Sequence, residues 1–443
     1  MRPAIGTLKP CKLDISKQGR VRMTQYHRSA KPTSHGKKLM RIKNSWNPLG
    51  TRLDRSSAAG PRAELGGKWA EYQGRNNWEG LLDPLDDGLR EEILRYGEFV
   101  DAAYRSFEFD TSSPDYATCR FSRFSMLAQC GLGKSGYRVT RNLRATSGVQ
   151  LPRWLDLAGP SWALTRSSWI GYVAVCNDKE EIARLGRRDV VIALRGTITC
   201  LEWLENFRAT LTCMHDHVGP RNDEAMVESG FLSLYTSRTA TCPSLQETVR
   251  EEIARILRTY GNEPLSVTIV GHSLGAALAK VAAYDITTTF DQGPMVTVIS
   301  FAGPRVGNWS FRSQVEKSGA KVLRIVNPDD VVTKVPGFLI DNNDVAEGEA
   351  VQVAGLPSWL RERVDYKQWV YADVGRELRL SSRGSRHLSN GNIASNIATC
   401  HDLRTYLHLI NGFVSSTCPL KATAKIVRER TQRGKNYCSD YLT

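Results

Sequence analysis

No stretch of this 443-residue chain runs apolar for the roughly 18–20 residues that a bilayer-crossing helix needs, so any contact with a membrane is expected to be peripheral. Metal-ligand spacing is missing too. The ten cysteines (positions 11, 119, 130, 176, 200, 213, 242, 400, 418 and 438) form no CxxC pair and no cluster with histidine. Cys400 beside His401 is a single pair without partners, so no metal site is expected. Acids are nearly absent from residues 1–45, which carry twelve Lys or Arg against Asp14 alone. That segment also lacks the apolar core of a secretory signal, so the thiols are read as mostly reduced. Its basic, Ser/Thr-bearing composition fits an organellar transit peptide, plastidial or mitochondrial, in preference to a basic arm that binds anionic surfaces. The formal charge of +14 is confined to the ends: residues 420–443 carry six basic and two acidic residues, and the body between is close to neutral. With no aromatic-and-basic recognition motif in that body, nucleic acid is not an expected partner. No internal repeat is visible.

What is present alternates. After a Gly/Ala/Arg-rich stretch read as a linker (46–66), Leu81–Phe107 shows apolar residues at helical intervals of three and four. Short β-branched runs follow at Ser168–Val175 and Asp189–Leu194. Ser244–Tyr260 reads as an amphipathic helix closed by Gly261. Pro264–Val270 reads as a buried strand, Ala276–Ile286 as a strong helix former, and Pro294–Phe301 and Lys321–Val326 as two more buried strands. Strands alternating with helices predict an α/β fold with a mostly parallel central sheet flanked by helices. The expected organisation is a basic segment (1–45), the linker, one large domain (67–418) and a basic C-terminal tail (419–443).

The informative string is Val270-Gly271-His272-Ser273-Leu274-Gly275. A GxSxG alone is weak, but here it leaves an apolar strand and opens directly into a helix, the context of a nucleophile elbow. Ser273 is the expected nucleophile. The amide of Leu274, at the positive end of that helix, is one expected donor to a developing oxyanion. Arg195-Gly196-Thr197, at the end of strand 189–194, is placed to supply the second through the Thr197 amide. In the chain order Ser, acid, His, the acid should follow the strand 321–326, where Asp329 and Asp330 are both candidates. His387, His401 and His408 follow Ser273. His401, at the junction of a loop with a periodic helix running to Phe413, suits a mobile base, and His408 reads as packed inside that helix.

Taken together, Val270–Ala279, Phe301–Asn308 and Leu194–Thr197 resemble the fungal-type class 3 lipases. Trp78–Asp86, Arg95–Val100 and His401–His408 narrow the resemblance to the plant class I phospholipases A1, plastidial branch, over about residues 66–418. It implies an α/β-hydrolase fold with a short lid within Ile198–Asp216, where Leu201, Trp203, Leu204 and Phe207 would either meet an acyl chain or bilayer or pack onto the domain. It favours Asp330 as the acid, because Asp330-Val-Val-Thr-Lys-Val-Pro336 matches the family's Asp-x-Val-x-x-x-Pro in register, and it places the base on His401. The implied activity is release of the sn-1 fatty acid from phosphatidylcholine and other membrane glycerolipids, with galactolipids and triacylglycerol as further substrates. The products would feed oxylipin (jasmonate) synthesis in the plastid. No metal or cofactor is implied, and no protein partner. The basic, polar tail departs from the apolar C-terminal segment of many relatives. Two other readings use the same residues: a neutral-lipid lipase or esterase, and a lipase-fold scaffold without catalysis. The completeness of the Ser, Asp and His set weighs against the scaffold.

Overall fold

The computed structural model describes residues 65–146, 167–197, 210–214, 218–220, 224–290, 292–335, 371–380 and 398–413. The basic segment, the residues Leu201, Trp203, Leu204 and Phe207, His387 and the C-terminal tail lie outside them.

Among the described residues the main sheet has seven strands, paired in chain order: β1 (Tyr137–Thr146), β2 (Ser167–Cys176), β3 (Arg188–Leu194), β4 (Leu265–His272), β5 (Met295–Phe301), β6 (Lys321–Val326) and β7 (Arg376–Arg379). β1, β2 and β3 run antiparallel to one another, and β3 through β7 are parallel. This bears out the mostly parallel sheet. β4 is buried at every position, as a strand covered on both faces must be, which is why its sequence reads as an apolar run rather than an alternation.

The two faces can be followed along β3. Val190, Ile192 and Leu194 point into a core shared with helices α3 (Leu245–Tyr260) and α4 (Leu274–Thr289). Val191 and Ala193 point into another, shared with α2 (Asp87–Ser106) and α5 (Leu403–Gly412). Period-two alternation thus splits one strand between two cores.

Several expectations shift. Helix α1 (Leu65–Tyr72) begins inside the stretch read as linker. α2 starts only at Asp87, capped by the Asp86 carboxylate. The residues before it form a turn with Leu82 bridged to Leu85, because Pro84 bars the helical conformation from the residue it follows. Strand β1 carries Arg138, Arg141 and Arg144 and buries only part of its length, so periodicity did not mark it. Of the expected lid, Leu211–Cys213 form a strand of a small antiparallel sheet with Met226–Glu228, Gly307–Asn308 and Tyr371–Ala372. Met214 is 2% exposed within the core shared with α3 and α4. This end of the segment is therefore a packed part of the domain, since burying a large apolar side chain outweighs leaving it in water.

Candidate active site

The elbow is built from β4, the turn at Ser273 and α4. Ser273 has φ 57° and ψ −123°, a backbone region that costs a non-glycine residue about 1–3 kcal/mol and persists only where its surroundings enforce it. The enforcement is visible. The Ser273 N–H donates to the Phe301 carbonyl at the end of β5 (3.0 Å). Gly275 lies so close to the end of β3 that a Cβ there would overlap the Leu194 carbonyl oxygen and stand 2.6 Å from that of Arg195. Ser273 is 2% exposed, and its Oγ makes no hydrogen bond among the described residues. A buried hydroxyl without a partner is uncommon in a folded protein, and such atoms gather where a ligand is to be met.

Seventy-one residues separate Asp330 from His401, yet His401 Nδ1 donates to Asp330 Oδ2 at 2.8 Å. Asp330 is fully buried and caps the turn Val331–Lys334, accepting the Val332 N–H on Oδ1 (2.9 Å). A third donor completes the carboxylate: Tyr406 Oη, on α5, donates to Oδ2 at 2.8 Å. The Tyr406 hydroxyl in turn accepts the Asn327 N–H (3.0 Å), and Asn327 Nδ2 donates to the Cys400 carbonyl (3.1 Å). Burial, reinforced by the Asp330 carboxylate, holds the Tyr406 phenol well above its ordinary range, so it stays a donor. With Nδ1 bound to the carboxylate, Nε2 is the ring nitrogen left to exchange a proton with a substrate or nucleophile. Asp329, the other acid considered, is exposed at the turn, where its N–H is held by Asn327 Oδ1 (3.3 Å). α5 begins two residues after His401, with Asp402 as its cap. His408 is exposed on this helix rather than packed, because the apolar stripe Leu403, Tyr406, Leu409, Ile410 that faces the sheet excludes it.

The end of β3 comes close to the elbow: a Cβ on Gly196 would lie 2.9 Å from Ser273 Cβ and 2.6 Å from Tyr104 Oη. The Gly196 N–H is occupied by the Tyr104 hydroxyl (2.8 Å). Its carbonyl is occupied by Arg195 Nη1 (2.7 Å). In a trans peptide the C=O and the following N–H point in opposite directions, so the Thr197 N–H is directed away from Arg195. Thr197 Oγ1 is a second buried oxygen without a hydrogen bond among the described residues. Arg195 is itself unusual. It lies buried over the Phe107 ring (3.5 Å to the centroid), bonded to the Trp169 carbonyl and Ser168 Oγ, and burial lowers its pKa to about 10. The Leu274 N–H opens the first turn of α4, where helix geometry provides no acceptor. The structure thus brings Ser273, Leu274 and Gly196–Thr197 to one edge of the sheet, and ties Asp330 to His401.

His272 sits between these parts. Its Nε2 contacts the His401 carbonyl oxygen (2.7 Å) and its Nδ1 the Tyr104 hydroxyl (2.7 Å). Burial and the neighbouring His401 hold it well below the ordinary histidine range, so it is neutral. Tyr104, His272, Asn327 and Tyr406 escaped the sequence reading as site residues. Tyr406 and Asn327 lie inside strings already singled out (His401–His408 and Asn327–Asp330), whereas Tyr104 had no local signal.

The class 3 lipase family model matches residues 191–340, the span from β3 through the Asp330 turn. Phospholipase A(1) DAD1, chloroplastic, of Arabidopsis thaliana is 62% identical over 372 residues, covering 83% of this chain and 81% of that protein. The chloroplastic galactolipase DONGLE of the same plant is 39% identical, over 77% of this chain and 69% of its own. Among solved structures, the Lip2 lipase from Yarrowia lipolytica matches 57% of this chain and 76% of its own at 19% identity, with a TM-score of 0.40. The chain belongs to the class 3 lipases, in the group of the plant phospholipases A1, serine acyl-ester hydrolases of the α/β-hydrolase fold.

Proposed function

We propose that this protein releases the sn-1 fatty acid from membrane glycerolipids, phosphatidylcholine and galactolipids foremost, through an acyl-enzyme on Ser273. The observation that carries the reading is the buried Ser273 Oγ, without a hydrogen bond among the described residues, on a left-handed turn, at a sheet edge that also bears two backbone donors. Ser273 Oγ attacks the ester carbonyl while His401 Nε2 accepts its proton. Asp330 keeps the proton of Nδ1 in place and stabilises the imidazolium. The oxygen that becomes anionic receives the N–H groups of Leu274 and Thr197, with the Thr197 hydroxyl as a third donor. His401 then protonates the departing glycerol oxygen, and water admitted to the acyl-enzyme returns Ser273 to its starting state. Every proton is carried by the chain's own groups. The names of the Arabidopsis relatives, a phospholipase A1 and a galactolipase, support the substrate class. The word chloroplastic in those names supports a plastidial destination for the chain; the basic residues 1–45 would then be the transit segment, and the enzyme would meet the substrate's membrane peripherally.

The test is fatty-acid release from phosphatidylcholine and monogalactosyldiacylglycerol carrying different chains at sn-1 and sn-2, with triacylglycerol alongside. Release of the sn-1 chain that disappears in Ser273→Ala, and falls by about 10⁴ in Asp330→Asn through the wrong imidazole tautomer, is the expected outcome. Release that survives in Ser273→Ala would sink the assignment of the nucleophile, and equal release from sn-2 would sink the regiochemistry.

A further inference from the structure

The histidine before the nucleophile has a hydrogen-bond arrangement that only one distribution of protons satisfies. The His401 carbonyl can only accept, so His272 Nε2, 2.7 Å away, must carry a proton. A neutral imidazole has one N–H, so Nδ1 accepts, and the Tyr104 hydroxyl 2.7 Å from it must donate. The Tyr104 oxygen keeps a lone pair for the Gly196 N–H at 2.8 Å. The result is a directed chain, Gly196 N–H to Tyr104 O–H to His272 Nδ1, and His272 Nε2–H to the His401 carbonyl. It joins four segments that are remote in sequence: the end of β3, the last turns of α2, the elbow and the base-bearing turn. The rings of His272 and His401 lie 4.8 Å apart, so a charged His272 would oppose the imidazolium that must form on His401.

We propose that Tyr104 and His272 are positioning residues for acyl transfer, a neutral bridge that holds the oxyanion-binding peptide Gly196–Thr197 and the backbone of His401 in register with Ser273. Neither touches the reacting atoms. Their effect is on geometry that matters only as charge develops, so their loss lowers kcat and leaves KM nearly unchanged. The proposal rests on the reading of Ser273, His401 and Thr197 given above.

The experiment compares His272→Gln, His272→Phe and Tyr104→Phe with the wild type in fatty-acid release from phosphatidylcholine, with thermal melting of each. Glutamine places an amide N–H close to where Nε2–H stood and can still reach the His401 carbonyl. Phenylalanine fills the space and donates nothing. The expected result is a kcat for His272→Phe reduced by about tenfold to a hundredfold, the usual consequence of stranding a buried hydrogen-bonding group, with KM within about twofold. His272→Gln recovers most of the loss. Tyr104→Phe, which deletes one atom, lowers kcat in the same way, and its effect shrinks in the His272→Phe background to what the stranded Gly196 N–H alone costs, because the rest of the bridge is already broken. Equal kcat for the Gln and Phe variants, a change carried by KM, or additive effects of Tyr104→Phe and His272→Phe would overturn the bridge while leaving the acyl-hydrolase reading intact. A wild type that releases no fatty acid would overturn that reading, and the bridge with it.

Discussion

Lys280 offers a pH test of the core behind the elbow. It lies on α4, seven residues after Ser273, is 1% exposed, and donates from Nζ to the Pro304 carbonyl at 2.9 Å. Burial and the nearby Arg324 and Arg305 bring its pKa from 10.5 to about 7, with Asp373 opposing them. In the unfolded chain the amine keeps its ordinary affinity for a proton. Between pH 7 and 10.5 the unfolded state therefore binds a proton that the folded state lacks, and stability rises with pH across that window. The destabilisation is complete below pH 7 and is relieved toward pH 10.5. Linkage puts it at about 5 kcal/mol at pH 6 and about 2 kcal/mol at pH 9. Lys280→Met fills similar volume and titrates nothing. Urea unfolding followed by tryptophan fluorescence at pH 6, 7, 8 and 9 reads the difference directly. The wild type is expected to gain about 3 kcal/mol from pH 6 to 9 beyond whatever the Met variant gains. Comparing slopes removes the constant effect of the lost bond to Pro304. Parallel curves for the two proteins would refute the reasoning, since they would mean that Lys280 either keeps its charge in the fold or is not buried there.

Two further outcomes follow from the geometry. Tyr406→Phe takes one of three donors from Asp330 and leaves the buried Asn327 N–H without its acceptor, so unfolding should become easier by about 2–3 kcal/mol; a loss below about 0.5 kcal/mol in urea unfolding would contradict the network. Gly275→Ala forces a methyl onto the Leu194 and Arg195 carbonyls and is expected to cost about 3 kcal/mol or to prevent folding. The control is Gly67→Ala within α1, where nothing lies within 4 Å of the added carbon, and which should stabilise by about 0.5–1 kcal/mol; thermal melting that ranks the two alike would count against the packing described.

The sequence by itself determined the local features: the buried strands β4, β5 and β6, the helix that follows β4, and the elbow at Ser273. Each is written in contiguous residues, because an apolar run, a helical spacing and a strand–turn–helix string are short-range properties of the backbone. Asp330 and His401 were named as candidates for the same reason, each lying in its own recognisable string. Their 2.8 Å contact across 71 positions, and that of Tyr104 with His272 across 168, exist only because the sheet brings strand ends together. Nothing within a ten-residue window distinguishes Tyr104 from any other half-buried tyrosine on a helix. The polar strand β1, the burial of Met214 and the exposure of His408 were likewise decided by neighbours from elsewhere in the chain. Burial is a property of what packs against a residue, and at these positions the packing partner is set by topology.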